Sequence, residues 1–282
     1  MLLISHQKIG PDLKKSFCEI FSLTITDQEE RIPPGSPYFS FSENTLSLHL
    51  NKKSDSSEEK KPSIAATPTP LSFDFIDTWK KIKPGFKSQR KKDPLLKALT
   101  IKNHKKEGPL RLIDATCGTG KDSLFFIKQG IQTFAYERSP YLAPLIWDAK
   151  RRASNDPELG PILKENFFFS FSNAMNHKLA LEGGAFSSNT NSQDLFVPDI
   201  IFLDPMFPPK RKKALPKKEM VIFSQLVGPD HDQEALLKWA LDLKPQRVIV
   251  KRPTWATPPK DFPPDTSYQG KTVKFDTYFP NL

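Results

Sequence analysis

The chain has 282 residues, with 42 Lys/Arg against 32 Asp/Glu, a formal net charge of +10 and a sequence pI near 9.4. A chain of this length builds a core without staples, and Cys18 and Cys117 stand too far apart for a disulfide framework or a zinc spacing, so no metal site is expected. No stretch approaches the ~18 apolar residues of a membrane span, and the start, MLLISHQKIG, lacks the ~7–15-residue apolar core of a signal peptide; the expectation is a soluble, cytoplasmic protein with no membrane partner.

Residues 1–50 hold short alternating runs, FSLTI and TLSLHL, broken by PPGSP, and predict a small N-terminal portion of short strands. Residues 51–70, NKKSDSSEEKKPSIAATPTP, carry little to bury and predict a flexible linker. From residue 71 to 282 one larger domain is expected, interrupted by a polar loop insertion at 182–194. Within it, RLIDAT (111–116) reads as a strand and KDSLFFIKQG (121–130) as a helix closing on glycine. IQTFAYE (131–137) is β-like, 140–153 has helical spacing, and NFFFSFS (166–172) and DIIFLDP (199–205) are strands. Helices are expected over 217–226 and 232–243, followed by strands RVIVKRP (247–253) and TVKFDTYF (272–279). This alternation predicts an α/β fold, an open Rossmann-like sheet with helices on both faces whose ligands lie beyond the carboxyl ends of the strands.

The first strand of that domain enters D-A-T-C-G-T-G-K-D, Asp114 to Asp122. Gly118 and Gly120 let backbone approach a nucleotide-like ligand, and Glu137 closes the next strand, where a carboxylate receives ribose hydroxyls. A dinucleotide fingerprint requires glycine where this chain has Ser123, and Asp114 inside the turn would repel a pyrophosphate but suit the ammonium of a methionine moiety. The cofactor expected is therefore S-adenosylmethionine. The fourth strand runs into D-P-M-F, Asp204 to Phe207. An acid–Pro–x–aromatic turn there suits a nucleobase amine: Asp204 and the Pro205 carbonyl accept from the NH₂ while Phe207 stacks on the base.

Charge is concentrated around these motifs. Residues 78–111 hold twelve Lys/Arg against Asp93 and Glu107, and six cations with no acid follow the D-P-M-F turn: Lys210, Arg211, Lys212, Lys213, Lys217 and Lys218. Such runs suit phosphate contacts that position RNA. Lys251 and Arg252, at the end of a strand beside the site, are further expected RNA contacts, and Pro208–Pro209 would be a stiff spacer between base pocket and clamp.

LIDATCGTGKD, AYERSP, FLDPMFPPKRKKALPKKEM, SQLVGPD and VIVKRP together resemble, in order, the RsmJ family of bacterial 16S rRNA guanine-N2 methyltransferases. The resemblance covers about residues 71–279 and implies a class I methyltransferase sheet, S-adenosylmethionine as methyl donor and 16S rRNA or the small ribosomal subunit as partner. Carried over by motif, it implies cofactor contacts at Lys121, Asp122, Glu137, Arg138, Ser172, Asn173 and Asp204. Where the family has a Ser-Ser pair this chain has Ser172–Asn173, and the first 70 or so residues match poorly. The competing readings are an N6-adenine methyltransferase, a catalytically silent RNA-binding protein on the same scaffold and, least favoured, a dinucleotide oxidoreductase.

Overall fold

The computed structural model describes residues 2–5, 11–26, 32–33, 36–42, 44–50, 70–83, 93–101, 108–176, 198–207, 226 and 230–280. The expected linker at 51–70 (apart from Pro70), the insertion at 182–194, the helix at 217–226 (apart from Leu226) and the cations from Lys210 to Lys218 lie outside the described residues. The chain forms two compact units, one of residues 1–74, 140–152 and 210–228, the other of 75–139, 153–209 and 229–282.

In the first unit, strands β1 (Leu2–Ser5), β2 (Thr24–Thr26), β3 (Pro37–Ser42) and β4 (Thr45–Leu50) make a sheet in the order β2-β1-β3-β4. Helix α1 (Pro11–Phe21) connects β1 to the parallel β2. β3 and β4 form a hairpin with Asn44 at φ 61°, a conformation asparagine tolerates better than most residues. Phe17, Phe39, Leu46 and Leu48 are fully buried there, with the Phe17 ring 4.8 Å from that of Trp147. The buried Asp148 is satisfied on both oxygens: Leu46 N–H and Arg152 Nε donate to one, Arg151 Nη2 to the other. A buried carboxylate needs such donors to persist.

The second unit is a seven-stranded sheet in the order β10-β11-β9-β8-β5-β6-β7. Its strands are β5 (Arg111–Asp114), β6 (Gln132–Glu137), β7 (Phe167–Phe171), β8 (Ile200–Leu203), β9 (Arg247–Pro253), β10 (Thr266–Gln269) and β11 (Val273–Tyr278). β5 to β9 pair in parallel, and β11 runs antiparallel between β9 and β10. The order reverses at β5, between β6 and β8, which opens a crevice at their carboxyl ends. The α/β expectation holds.

Alternating residues of the central strands feed two cores. On one face Ile201, Leu203, Val248 and Val250 pack with Leu236, Leu237 and Ala240 of a helix, Gln233–Asp242. On the other, Ile200, Phe202 and Ile249 pack with Leu95, Leu96 and Leu99 of Pro94–Leu99 and Phe126 of Lys121–Lys128. Each such side chain contributes ~1.5–3 kcal/mol on burial. In chain order the remaining helices are numbered α2 (Phe75–Lys81), α3 (Pro94–Leu99), α4 (Lys121–Lys128), α5 (Ala143–Ala153), α6 (Leu159–Asn166) and α7 (Gln233–Asp242). Asp93 caps α3, accepting from Leu95 N–H (2.8 Å) and Leu96 N–H (3.2 Å), with Pro94 at the position where a missing N–H costs nothing.

Candidate active site

The parallel strands deliver the chemistry-bearing residues to one edge. From β8 through β5 and β6 to β7, the carboxyl ends present Asp204, the turn after Asp114, Glu137–Arg138 and Ser172–Asn173. Four neighbouring strands span about 14 Å at ~4.8 Å per gap, enough for an elongated ligand with a base, a sugar and an amino-acid end.

The turn after β5 is built from within. Asp114 is buried, its Oδ2 accepting from Ser123 Oγ at 2.6 Å and its Oδ1 from Thr116 N–H at 3.3 Å. Burial, reinforced by nearby Asp122, pushes its carboxyl from 3.8 to about 7 in spite of the Ser123 bond. Asp114 thus ties the turn to α4. Ser123, read from the sequence only as a missing glycine, is its partner.

The two glycines serve different ends. Gly118 sits at φ +58° in open space, where an added Cβ would meet nothing nearer than Thr116 O at 3.7 Å. Gly120, at φ +76°, faces the protein instead: a Cβ there would lie 2.7 Å from the Phe75 ring. A side chain there would collide with the packing of α2.

Glu137 closes β6 and is almost wholly buried. Its carboxylate accepts from Gly118 N–H at 2.8 Å and Ser139 N–H at 2.7 Å, holding the glycine turn against the next strand. Desolvation raises its carboxyl from 4.5 to about 7 against those bonds. Arg138 turns to Asp230 and Asp232, with 2.5 Å contacts to each, and both acids raise it above the ordinary arginine range. Ser172 Oγ is 2.9 Å from Ser170 Oγ, and Asn173 Oδ1 accepts from Met175 N–H at 3.0 Å.

Asp204 follows β8, its backbone N–H donating to Thr116 Oγ1 at 2.6 Å. Its Oδ2 takes Lys251 Nζ at 2.8 Å, and the same ammonium reaches Asp122 Oδ2 at 2.6 Å. Burial raises the Asp204 carboxyl to about 6; Lys251 opposes the rise and Asp122 adds to it. Burial alone would lower Lys251, but the two carboxylates hold it above its ordinary value. Asp122 and Lys121 also line a cavity of about 260 Å³ beside Ile82, Leu95, Phe125 and Phe275. Lys251, expected at the RNA, is the shared counter-ion of the site.

Arg252 is likewise engaged inside the protein. Its side chain is 5% exposed, its Nε lies 3.0 Å from Asp276 of β11, and its guanidinium is 5.5 Å from the centre of the Phe207 ring. Arg252, expected as an RNA contact, thus backs the aromatic ring of the D-P-M-F turn. Sequence reasoning missed Thr116, Ser123 and Asp230, because their partners lie on other elements. The SQLVGPD motif that contains Asp230 was the one available signal.

Among the described residues, no group of three His, Cys, Asp or Glu is arranged to hold a metal ion, and no helix is long and apolar enough to cross a membrane. A family model described as "Putative SAM-dependent methyltransferase" matches residues 40–280. Ribosomal RNA small subunit methyltransferase J of Aeromonas salmonicida is 40% identical over 59% of this chain and 62% of its own length; that of Pseudoalteromonas atlantica is 36% identical over 68% and 70%. The match to the first of these spans about three fifths of the relative's length. Among solved structures, the SAM-dependent methyltransferase NGO1261 from Neisseria gonorrhoeae is 26% identical, with a TM-score of 0.65 over 100% of this chain and 96% of that one. The open cradle at Gly118, the carboxyl groups at successive strand ends and the span between them fit S-adenosylmethionine, the cofactor of these enzymes. The chain belongs to the RsmJ family of S-adenosylmethionine-dependent methyltransferases.

Proposed function

We propose that the protein methylates the exocyclic N2 amine of a guanine in small-subunit rRNA. The observation that carries this reading is the Asp204–Phe207 turn, which brings a carboxylate, a backbone carbonyl and an aromatic ring within four consecutive residues directly after β8. The names of the curated relatives supply the RNA.

S-adenosylmethionine supplies an electrophilic methyl group. Glu137, Arg138, Ser172, Asn173, Lys121, Asp122 and the Gly118 backbone would hold it along the strand ends. The guanine N2 lone pair is delocalised into the ring, so the chain's first task is placement, which supplies several kcal/mol when the reacting atoms are aligned. Asp204 has Oδ2 paired with Lys251, which leaves Oδ1 to accept one N2–H while the Pro205 carbonyl accepts the other. Both acceptors strengthen as positive charge develops on nitrogen. No base is needed before transfer, because the N2 proton becomes acidic afterwards, and Asp204, with its carboxyl near 6, is suited to receive it. Phe207, backed by Arg252, would stack on the base for ~1–3 kcal/mol. Lys210–Lys213, Lys217 and Lys218 follow this turn in sequence and would hold the flanking phosphates.

The test is methyl transfer to 30S particles from a strain lacking the enzyme, with nucleoside analysis of the rRNA. N2-methylguanosine at one position is expected. N6-methyladenosine would shift the reading to an adenine enzyme, and no transfer would favour an RNA-binding protein on this scaffold.

A further inference from the structure

We infer that Asp230 is a positioning residue that aims the acceptor turn and ties it to Arg138 on the cofactor side; this rests on the reading of Asp204–Phe207 as the acceptor turn. Asp230 Oδ2 accepts from Met206 N–H at 2.6 Å. Its backbone N–H donates to Met206 C=O at 3.1 Å, and Gln233 Nε2 donates to the same carbonyl at 3.1 Å. Both peptide groups that flank the Met206 α-carbon are therefore held.

The consequence follows from amide planarity. Met206 N–H and Pro205 C=O belong to one rigid trans peptide and point in opposite directions. Gripping the N–H from behind fixes where the Pro205 carbonyl faces. A carboxylate acceptor on the N–H also polarises that amide and makes its carbonyl a stronger acceptor. The Met206 carbonyl belongs to the peptide that leads into Phe207, so the bonds from Asp230 N–H and Gln233 set the plane from which the aromatic ring projects. Two of the three groups assigned to the guanine are thereby oriented by Asp230, which need not touch the base.

The remaining oxygen of Asp230 carries the link across the site. Oδ1 takes Arg138 Nη2 at 2.5 Å, and Arg138 is further braced by Asp232. Arg138 directly follows Glu137, whose carboxylate holds Gly118 N–H. A continuous chain of charged hydrogen bonds thus runs from the end of β6 to the acceptor turn.

The test compares the full-length wild type, Asp230→Ala and Asp230→Asn. Each is assayed for single-turnover transfer to 30S particles, for S-adenosylmethionine affinity by calorimetry, and for hydrogen exchange of the peptide covering 204–207. Asp230→Ala is expected to slow transfer by ~10²-fold, the scale of a 1 Å misplacement, to change donor affinity less than about threefold, and to accelerate exchange in the turn. Asparagine still accepts from Met206 N–H, so Asp230→Asn should recover protection and much of the rate. Transfer in Asp230→Ala within about twofold of wild type, or loss of donor affinity in step with rate, overturns the inference. If the wild type itself transfers nothing, the substrate reading fails and exchange alone decides: protection unchanged in Asp230→Ala removes Asp230 from its role, and protection lost retains it.

Discussion

Lys251 on β9 donates to Asp204 at the end of β8 across 2.8 Å, and its ammonium is shared with Asp122 at the start of α4. Three chain segments far apart in sequence thus meet in one acid–cation–acid cluster, which makes the charge state of Asp204 depend on Lys251. Replacing Lys251 by Met leaves two carboxylates facing each other and pushes the Asp204 carboxyl further up. The acidic limb of the pH–rate profile, placed near pH 6 by Asp204, should move upward by about one unit or more, each unit being tenfold in the ionised fraction. Lys251→Arg should largely restore it. An unmoved limb, with only the salt dependence of RNA binding reduced, would return Lys251 to the role of a phosphate contact.

Arg252→Ala should destabilise the protein. It removes the nearer of the two cations on the buried Asp276, leaving Lys274 Nζ at 4.0 Å, and the loss approaches the ~3–5 kcal/mol of breaking a buried pair. Arg252→Lys keeps the charge and loses the planar support of Phe207, so it should fold better than the alanine variant while still raising KM for RNA. Thermal denaturation distinguishes these outcomes; an unchanged Tm in Arg252→Ala contradicts the internal role.

Phe207→Ala should weaken RNA engagement by the ~1–3 kcal/mol of one base stack and leave donor affinity unchanged, whereas Phe207→Tyr keeps the ring and most of the activity. Steady-state KM and calorimetry measure the two effects separately.

Asp114 carries a pH signature in stability. Its folded carboxyl titrates at about 7 against an ordinary 3.8, so between those values the folded state holds a proton that the unfolded state has released. Stability contributed by this group is therefore present at low pH and lost as pH rises through 7. Asp114→Asn keeps an acceptor for Ser123 and removes the titration, so the variant should gain on the wild type in Tm from pH 5 to pH 7.5. A Tm difference independent of pH would contradict the shift.

The elements legible in the sequence were those whose burial shows in one dimension. β8 and β9 are runs of Ile, Val, Leu and Phe, and the glycine turn and D-P-M-F mark where strands stop. β10, TSYQ, alternates half-buried with exposed residues at the sheet edge and has no apolar run to announce it. α1 was hidden among β-like runs, and the six-residue α3 is visible mainly through its Asp93–Pro94 start. The site followed the same rule. Positions at strand ends are marked by the apolar runs they close, whereas the tasks of Lys251, Arg252 and Asp230 depend on partners 47, 24 and 24 residues away or more, where local pattern carries no information.

The most direct test of the acceptor turn is Asp204→Ala, assayed for methyl transfer to 30S particles and for S-adenosylmethionine binding on the same preparation. Transfer should be abolished while donor binding survives in part, because Asp204 holds the guanine amine and only one edge of the cofactor. Transfer at the wild-type rate in that variant would contradict it.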